Sequence, residues 1–138
     1  METISRKDFL VKCSQTCAGI LAGGIFLSAC KTAALVPFEI KDSSIVVKKA
    51  DMVGKSSAIF RTDKLPAPVY LSEKDGNYEA VLMLCTHKDC ELNTYGKVLH
   101  CPCHGSEFNE SGEVLQGPAE KPLLKFKVIV DNENIYIQ

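Results

Sequence analysis

Cys85-Thr86-His87-Lys88-Asp89-Cys90 and Cys101-Pro102-Cys103-His104-Gly105-Ser106 decide how this chain is read. Each stretch supplies one Cys–His pair and one further cysteine, so four thiols and two imidazoles are offered together. That donor set is metal chemistry, because thiolate suits iron–sulfur clusters and zinc while imidazole suits several transition metals. Tetrahedral zinc is the competing reading. Structural zinc sites, however, space their cysteines by about two to four residues and their histidines by about three to five. Pairing Cys85 with His87 and Cys101 with His104, each stretch gives one of each, with one residue between them in the first and two in the second. A nucleophilic Cys–His pair is disfavoured as well, since four candidate ligands occur at once and no third orienting group accompanies them.

Outward from the two stretches, alternation and β-branched runs predict strands over 38–47, 57–61, 68–71, 78–84, 125–130 and 134–137. Asp75-Gly76-Asn77 and Asp131-Asn132-Glu133-Asn134 read as hairpin turns between them. The segment from Glu91 to His100 forms a further hairpin through Tyr95-Gly96-Lys97. No period near 3.6 is sustained after residue 37, so the fold is all-β, with both motifs on loops between the strands ending near 84 and starting near 125. A domain this small is short of core, and cross-links help it.

The paired motifs resemble the two halves of a Rieske iron–sulfur site. The resemblance implies one [2Fe-2S] cluster per chain, with Cys85 and Cys101 on one iron, His87 and His104 on the other, and a disulfide between Cys90 and Cys103. It implies an antiparallel β-sandwich over 38–138 with an inserted cluster-binding subdomain of two loops, about 85–122. Imidazole in place of thiolate leaves such a cluster less negative, which raises its potential to about −150 to +300 mV in this family. Exported members carry the extra cysteine pair, whereas cytosolic Rieske ferredoxins and oxygenase domains lack it, and a disulfide suits an oxidising compartment. Ser106 holds the place of a serine that donates to a bridging sulfide. Phe108 stands where high-potential members often have a tyrosine donor. Gly117-Pro118-Ala119 resembles the loop whose proline, here Pro118, covers the cluster. The resemblance also implies outer histidines that lose protons more easily when the irons are oxidised, hence a potential that depends on pH in the alkaline range. His100 is assigned no role.

Residues 1–29 read as a signal peptide. A basic start (Arg6, Lys7, Lys12) precedes an apolar run from Ala18 to Leu27, shorter than the roughly 20 residues of a membrane-spanning helix. Leu27-Ser28-Ala29-Cys30 resembles a bacterial lipobox, which implies a diacylated Cys30 and a tether over 30–37. An uncleaved signal-anchor helix between Lys12 and Lys31 is the alternative. Ser5-Arg6-Lys7-Asp8-Phe9-Leu10 resembles a twin-arginine signal with Lys7 in place of the second arginine, so twin-arginine and general export both stay open. On the lipoprotein reading the seven cysteines divide into Cys13 and Cys17 in the leader, Cys30 under lipid, two on iron and two in the disulfide.

A formal charge of −1 gives no reason to expect nucleic acid as a partner. No set of acid–base residues resembles a substrate pocket, so catalysis by the chain itself is not expected. The expectation is electron transfer by an exported, lipid-anchored protein facing the periplasm or the outside. It would serve as a subunit or partner of a quinol-oxidising complex, exchanging electrons with a cytochrome b or a cytochrome c. The alternative is the small subunit of a molybdenum oxidoreductase of the arsenite oxidase type. Lys88-Asp89 occupies the place where quinol-oxidising members often carry an apolar residue and then glycine, and this charged tip suits a polar protein surface.

Overall fold

Side-chain alternation along β5 (Val69–Lys74) and β6 (Asn77–Leu82) buries the central sheet on both faces. Val69, Leu71 and Ala80 point into one core, while Tyr70, Val81 and, just beyond the strand, Met83 point into another. The computed structural model describes residues 34–138. The leader, Cys30 and the motif at Ser5 to Leu10 lie outside the described residues.

The central sheet has the order β1-β4-β5-β6-β11, with β1 (Ala34–Leu35), β4 (Ser57–Phe60) and β11 (Lys125–Phe126) joining the two strands above. Against one face packs a four-stranded sheet, β12-β13-β3-β2, formed by β2 (Glu39–Lys41), β3 (Ser44–Lys48), β12 (Val128–Val130) and β13 (Asn134–Ile137). Between them lie Ile45, Val47, Phe60, Leu71, Ile135 and Ile137. The other face carries an inserted antiparallel sheet, β10-β9-β8-β7, made of β7 (Asn93–Tyr95), β8 (Val98–His100), β9 (Glu107–Asn109) and β10 (Val114–Gln116). All pairs are antiparallel except β1 with β4. One helical turn, α1 (Lys49–Met52), links β3 to the loop before β4.

The all-β sandwich with an inserted subdomain is as expected, but two long predicted strands are broken. The run 38–47 is a hairpin, because Asp42 and Ser43 take φ of +46° and +67° and turn β2 into β3. Two positive φ values in a two-residue loop match the twist of paired strands, and aspartate tolerates them better than most residues. The run 125–130 divides at Lys127, whose N–H and C=O both pair with Gln138, and so passes from the central sheet to the outer one. The strands β9 and β10 and the turn α1 were not expected. Within the stretch read as a tether, Ala34 and Leu35 pair with Ala58 and Ile59, and Val36 is buried.

Tyr70 joins the central sheet to the inserted one. Its ring is 1% exposed, and its hydroxyl donates to Glu110 Oε1 at 3.0 Å. Burial, reinforced by the Glu110 carboxylate, pushes this phenol up to about 12. A folded pKa above the unfolded value of about 10 gives stability that is complete below pH 10 and is lost as pH rises toward 12. Tyr70→Phe is therefore expected to flatten the alkaline limb of the stability curve between about pH 10 and 12. Urea melts across that range check it, and an unaltered limb would contradict this role for Tyr70.

Candidate metal centre

Both motif loops are built to one plan. In the first, Cys85 N–H donates to Cys90 C=O (2.8 Å) and Asp89 N–H to Cys85 C=O (2.9 Å). In the second, Cys101 N–H donates to Ser106 C=O (2.8 Å) and Gly105 N–H to Cys101 C=O (3.0 Å). The fifth residue of each turns with positive φ, +53° at Asp89 and +78° at Gly105. At the second site glycine meets the requirement without strain; at the first, Asp89 meets it as one of the few side chains that tolerate the left-handed region.

This plan sends the cysteine side chains inward. Cys85 is 1% and Cys101 0% exposed, both within the second core beside Leu92, Leu99 and Phe108, and among the described residues these two carry free thiols. His87 and His104 lie toward the surface, half-buried and exposed, with ring centroids 4.8 Å apart and planes nearly perpendicular. His87 Nδ1 is buried and is the one such side-chain atom without a hydrogen-bond partner among the described residues. An orphaned imidazole nitrogen costs about 1–3 kcal/mol unless something takes its lone pair or proton. Two buried free thiols on the same two loops as two neighbouring imidazoles, one with an unpartnered nitrogen, fit a cluster with thiolate donors at one end and imidazole donors at the other.

Cys90 and Cys103 are joined in a disulfide that spans the two loops. The sulfurs of Cys90, Cys101 and Cys103 lie within 4.8 Å of one another. Sulfurs bonded to each other have no thiolate to give, so this proximity places the disulfide against Cys101 and does not make a second site.

A third segment closes over the loops. Gly117–Pro118 is a cis peptide, Pro118 is exposed and Ala119 is buried. Ala119 N–H donates to Ser106 Oγ at 3.0 Å, which leaves the proton of this fully buried hydroxyl free to donate elsewhere. Thr86 Oγ1 donates to Lys121 C=O at 2.6 Å, and Gln116 Nε2 to Gly105 C=O at 3.2 Å. The proline segment is thereby tied to both loops, and the disulfide ties the loops together. Thr86, Gln116 and the Ala119 amide were not singled out from the sequence; a hydroxyl residue set between two candidate ligands was the available signal for Thr86.

Elsewhere, Phe108 is fully buried in the same core as both free cysteines. Lys88 and Asp89 stand exposed at the tip of the first loop. The Arg61 guanidinium pairs with Glu91, next to Cys90. His100 ends β8, its Nδ1 3.5 Å from Glu107 Oε1 and its ring against Tyr95. Among the described residues no helix is long and apolar enough to cross a membrane.

A family model for the Rieske [2Fe-2S] domain matches residues 34–127. The cytochrome b6-f complex iron-sulfur subunit of Chlorobaculum thiosulfatiphilum is 35% identical over 98 residues, covering 67% of this chain and 52% of its own length. The chain spans about half the length of the curated relatives it matches. Among solved structures, the cyanobacterial plasma membrane Rieske protein PetC3 from Synechocystis PCC 6803 is similar at 34% identity and TM-score 0.55, with 66% of this chain and 94% of that one covered. A complex of reduced oxygenase and oxidized ferredoxin in carbazole 1,9a-dioxygenase gives 25% identity and TM-score 0.50, covering 67% of this chain and 91% of that one. With its sandwich, its two stapled loops and its Cys–His donors, the chain belongs to the Rieske [2Fe-2S] family, whose cofactor is a [2Fe-2S] cluster.

Proposed function

We propose that this chain is a one-electron carrier whose cluster is held by Cys85 and Cys101 at the buried end and by His87 and His104 at the surface. The observation that supports it most directly is a pair of imidazole rings 4.8 Å apart, carried on the same two stapled loops as two buried free thiols. When bound, the cluster supplies reversible one-electron chemistry. The chain's own residues do the rest: the core around Leu92, Leu99 and Phe108 keeps water from the thiolates, the proline segment covers the third side, and the histidine edges stay open to a partner. Electron paramagnetic resonance of the reduced protein tests the cluster, and absence of a signal in iron-replete protein would sink the reading.

The partner is read as a respiratory one. Cytochrome b6-f subunits among the relatives support membership of, or partnership with, a quinol-oxidising complex, and a plasma-membrane Rieske protein supports a membrane setting, which we read as an exported one held through Cys30. The exposed Lys88-Asp89 tip favours a second reading, in which the chain docks on a polar protein surface such as a molybdenum subunit or a cytochrome c. A mild-detergent pulldown from native membranes separates them: a cytochrome b supports the first, a molybdenum subunit or a cytochrome c alone the second.

Phe108 and Ser106 tune the site on this reading. Ser106 has its proton free to donate toward the cluster because Ala119 N–H occupies its oxygen. Phe108 offers no hydroxyl, and one missing donor of about 1 kcal/mol lowers a one-electron potential by about 40 mV at about 59 mV per tenfold change. Phe108→Tyr is expected to raise the potential by about that amount in protein-film voltammetry. An unshifted potential in a fully loaded variant would refute the donor argument.

A further inference from the structure

The pairing of β1 fixes the end at which the chain enters the domain. This strand runs parallel to β4, with Ala34 beside Ala58, so the N-terminal end of β1 lies at the Ser57 end of β4. At that same end the turn after Lys74 joins β5 to β6, and Val53 stands 77% exposed. The metal-centre loops grow from the opposite end, where Phe60, Val69 and Leu82 are register partners and Cys85 follows three residues later.

The six residues of β5 alone separate the two ends by about 17–20 Å. Cys30 precedes Ala34 by only four residues, which reach about 14 Å when fully extended. A tether this short cannot bring the far end of the domain round to face the bilayer to which Cys30 is fixed.

Resting on the reading that Cys30 carries lipid, we infer that the domain stands with its Val53 end toward the membrane and presents His87, His104 and the Lys88-Asp89 tip to the aqueous phase. There the tip faces the polar surface of a protein partner. The exposed lysine and aspartate fit such a surface, since neither is desolvated without cost in an apolar pocket.

The test uses the full-length lipidated protein in phosphatidylcholine vesicles, comparing relaxation of the reduced cluster's resonance by a water-soluble nickel chelate with that by nickel-chelating lipid headgroups. Strong relaxation by the soluble chelate and little by the lipid-borne one is expected. Inserting a Gly/Ser linker of about ten residues between Lys31 and Thr32, which adds about 17 Å of root-mean-square reach, should raise the lipid-borne effect several-fold. A wild-type cluster relaxed as strongly by the lipid-borne chelate as by the soluble one overturns the orientation while leaving the anchor intact. An intact mass showing Cys30 without acyl chains overturns the anchor reading, and the orientation with it, by a separate observable.

Discussion

Replacing Cys90 and Cys103 together with serine is expected to cost about 3 kcal/mol, because the bond they form closes a chain segment of about 14 residues in the unfolded state. For a domain of about 100 residues that corresponds to a fall in Tm of about 12–24 °C. A cluster held by both loops would bridge them in the folded protein, but it would be lost on unfolding and so could not stand in for the disulfide in the unfolded chain. The double variant is cleaner than either single one: one liberated cysteine would lie close to Cys101, whose sulfur is within 4.8 Å of both disulfide sulfurs, and dissolved oxygen could oxidise the two thiols to a new disulfide. Serine is tolerable at both positions, since Cys90 is half-buried and Cys103 exposed. Thermal unfolding followed by far-ultraviolet circular dichroism checks the effect. A shift of only a degree or two would mean that the unfolded chain already keeps positions 90 and 103 close without the bond, and the chain-entropy account of this disulfide would fail.

The candidate site was more legible in the sequence than the fold around it, for a physical reason. Metal donors are few in kind, so two Cys–His pairs announce themselves at any spacing, and the positions of Cys90 and Cys103 carried their pairing once the family was recognised. Strand ends, by contrast, are set by turns whose φ requirement several residue types satisfy. Asp42-Ser43 folds back as a hairpin without a glycine or proline to mark it. Lys127 marks a change of sheet that only the pairing with Gln138 reveals. The short strands β9 and β10 show little alternation: only Phe108 is fully buried among them, and Leu115 is exposed. The ties of the proline segment were invisible for a different reason. They use a backbone amide and carbonyl, at Ala119 and Lys121, and backbone groups have no signature in sequence.

Cys101→Ser and His104→Ala should both abolish the resonance of the reduced cluster, and they should differ in what else they cost. Cys101 is fully buried within the second core, so serine there leaves a hydroxyl among Leu92, Leu99 and Phe108 without an evident partner. That penalty is about 1–3 kcal/mol, enough to weaken but not to unfold a domain held by about 5–15 kcal/mol. His104 is exposed, and alanine in its place removes a donor while burying nothing polar. Iron content should fall in both variants, whereas denaturant midpoints of the iron-free proteins should separate, with Cys101→Ser the less stable by about that same 1–3 kcal/mol. The comparison discriminates between ligand sets as well as between costs. If His104→Ala kept a full resonance while Cys101→Ser lost it, the outer iron would have to be held by another group, and the pairing of His87 with His104 at 4.8 Å would be packing alone. If both kept it, the buried thiols would not be ligands, and the assignment of Cys85, His87, Cys101 and His104 would fail.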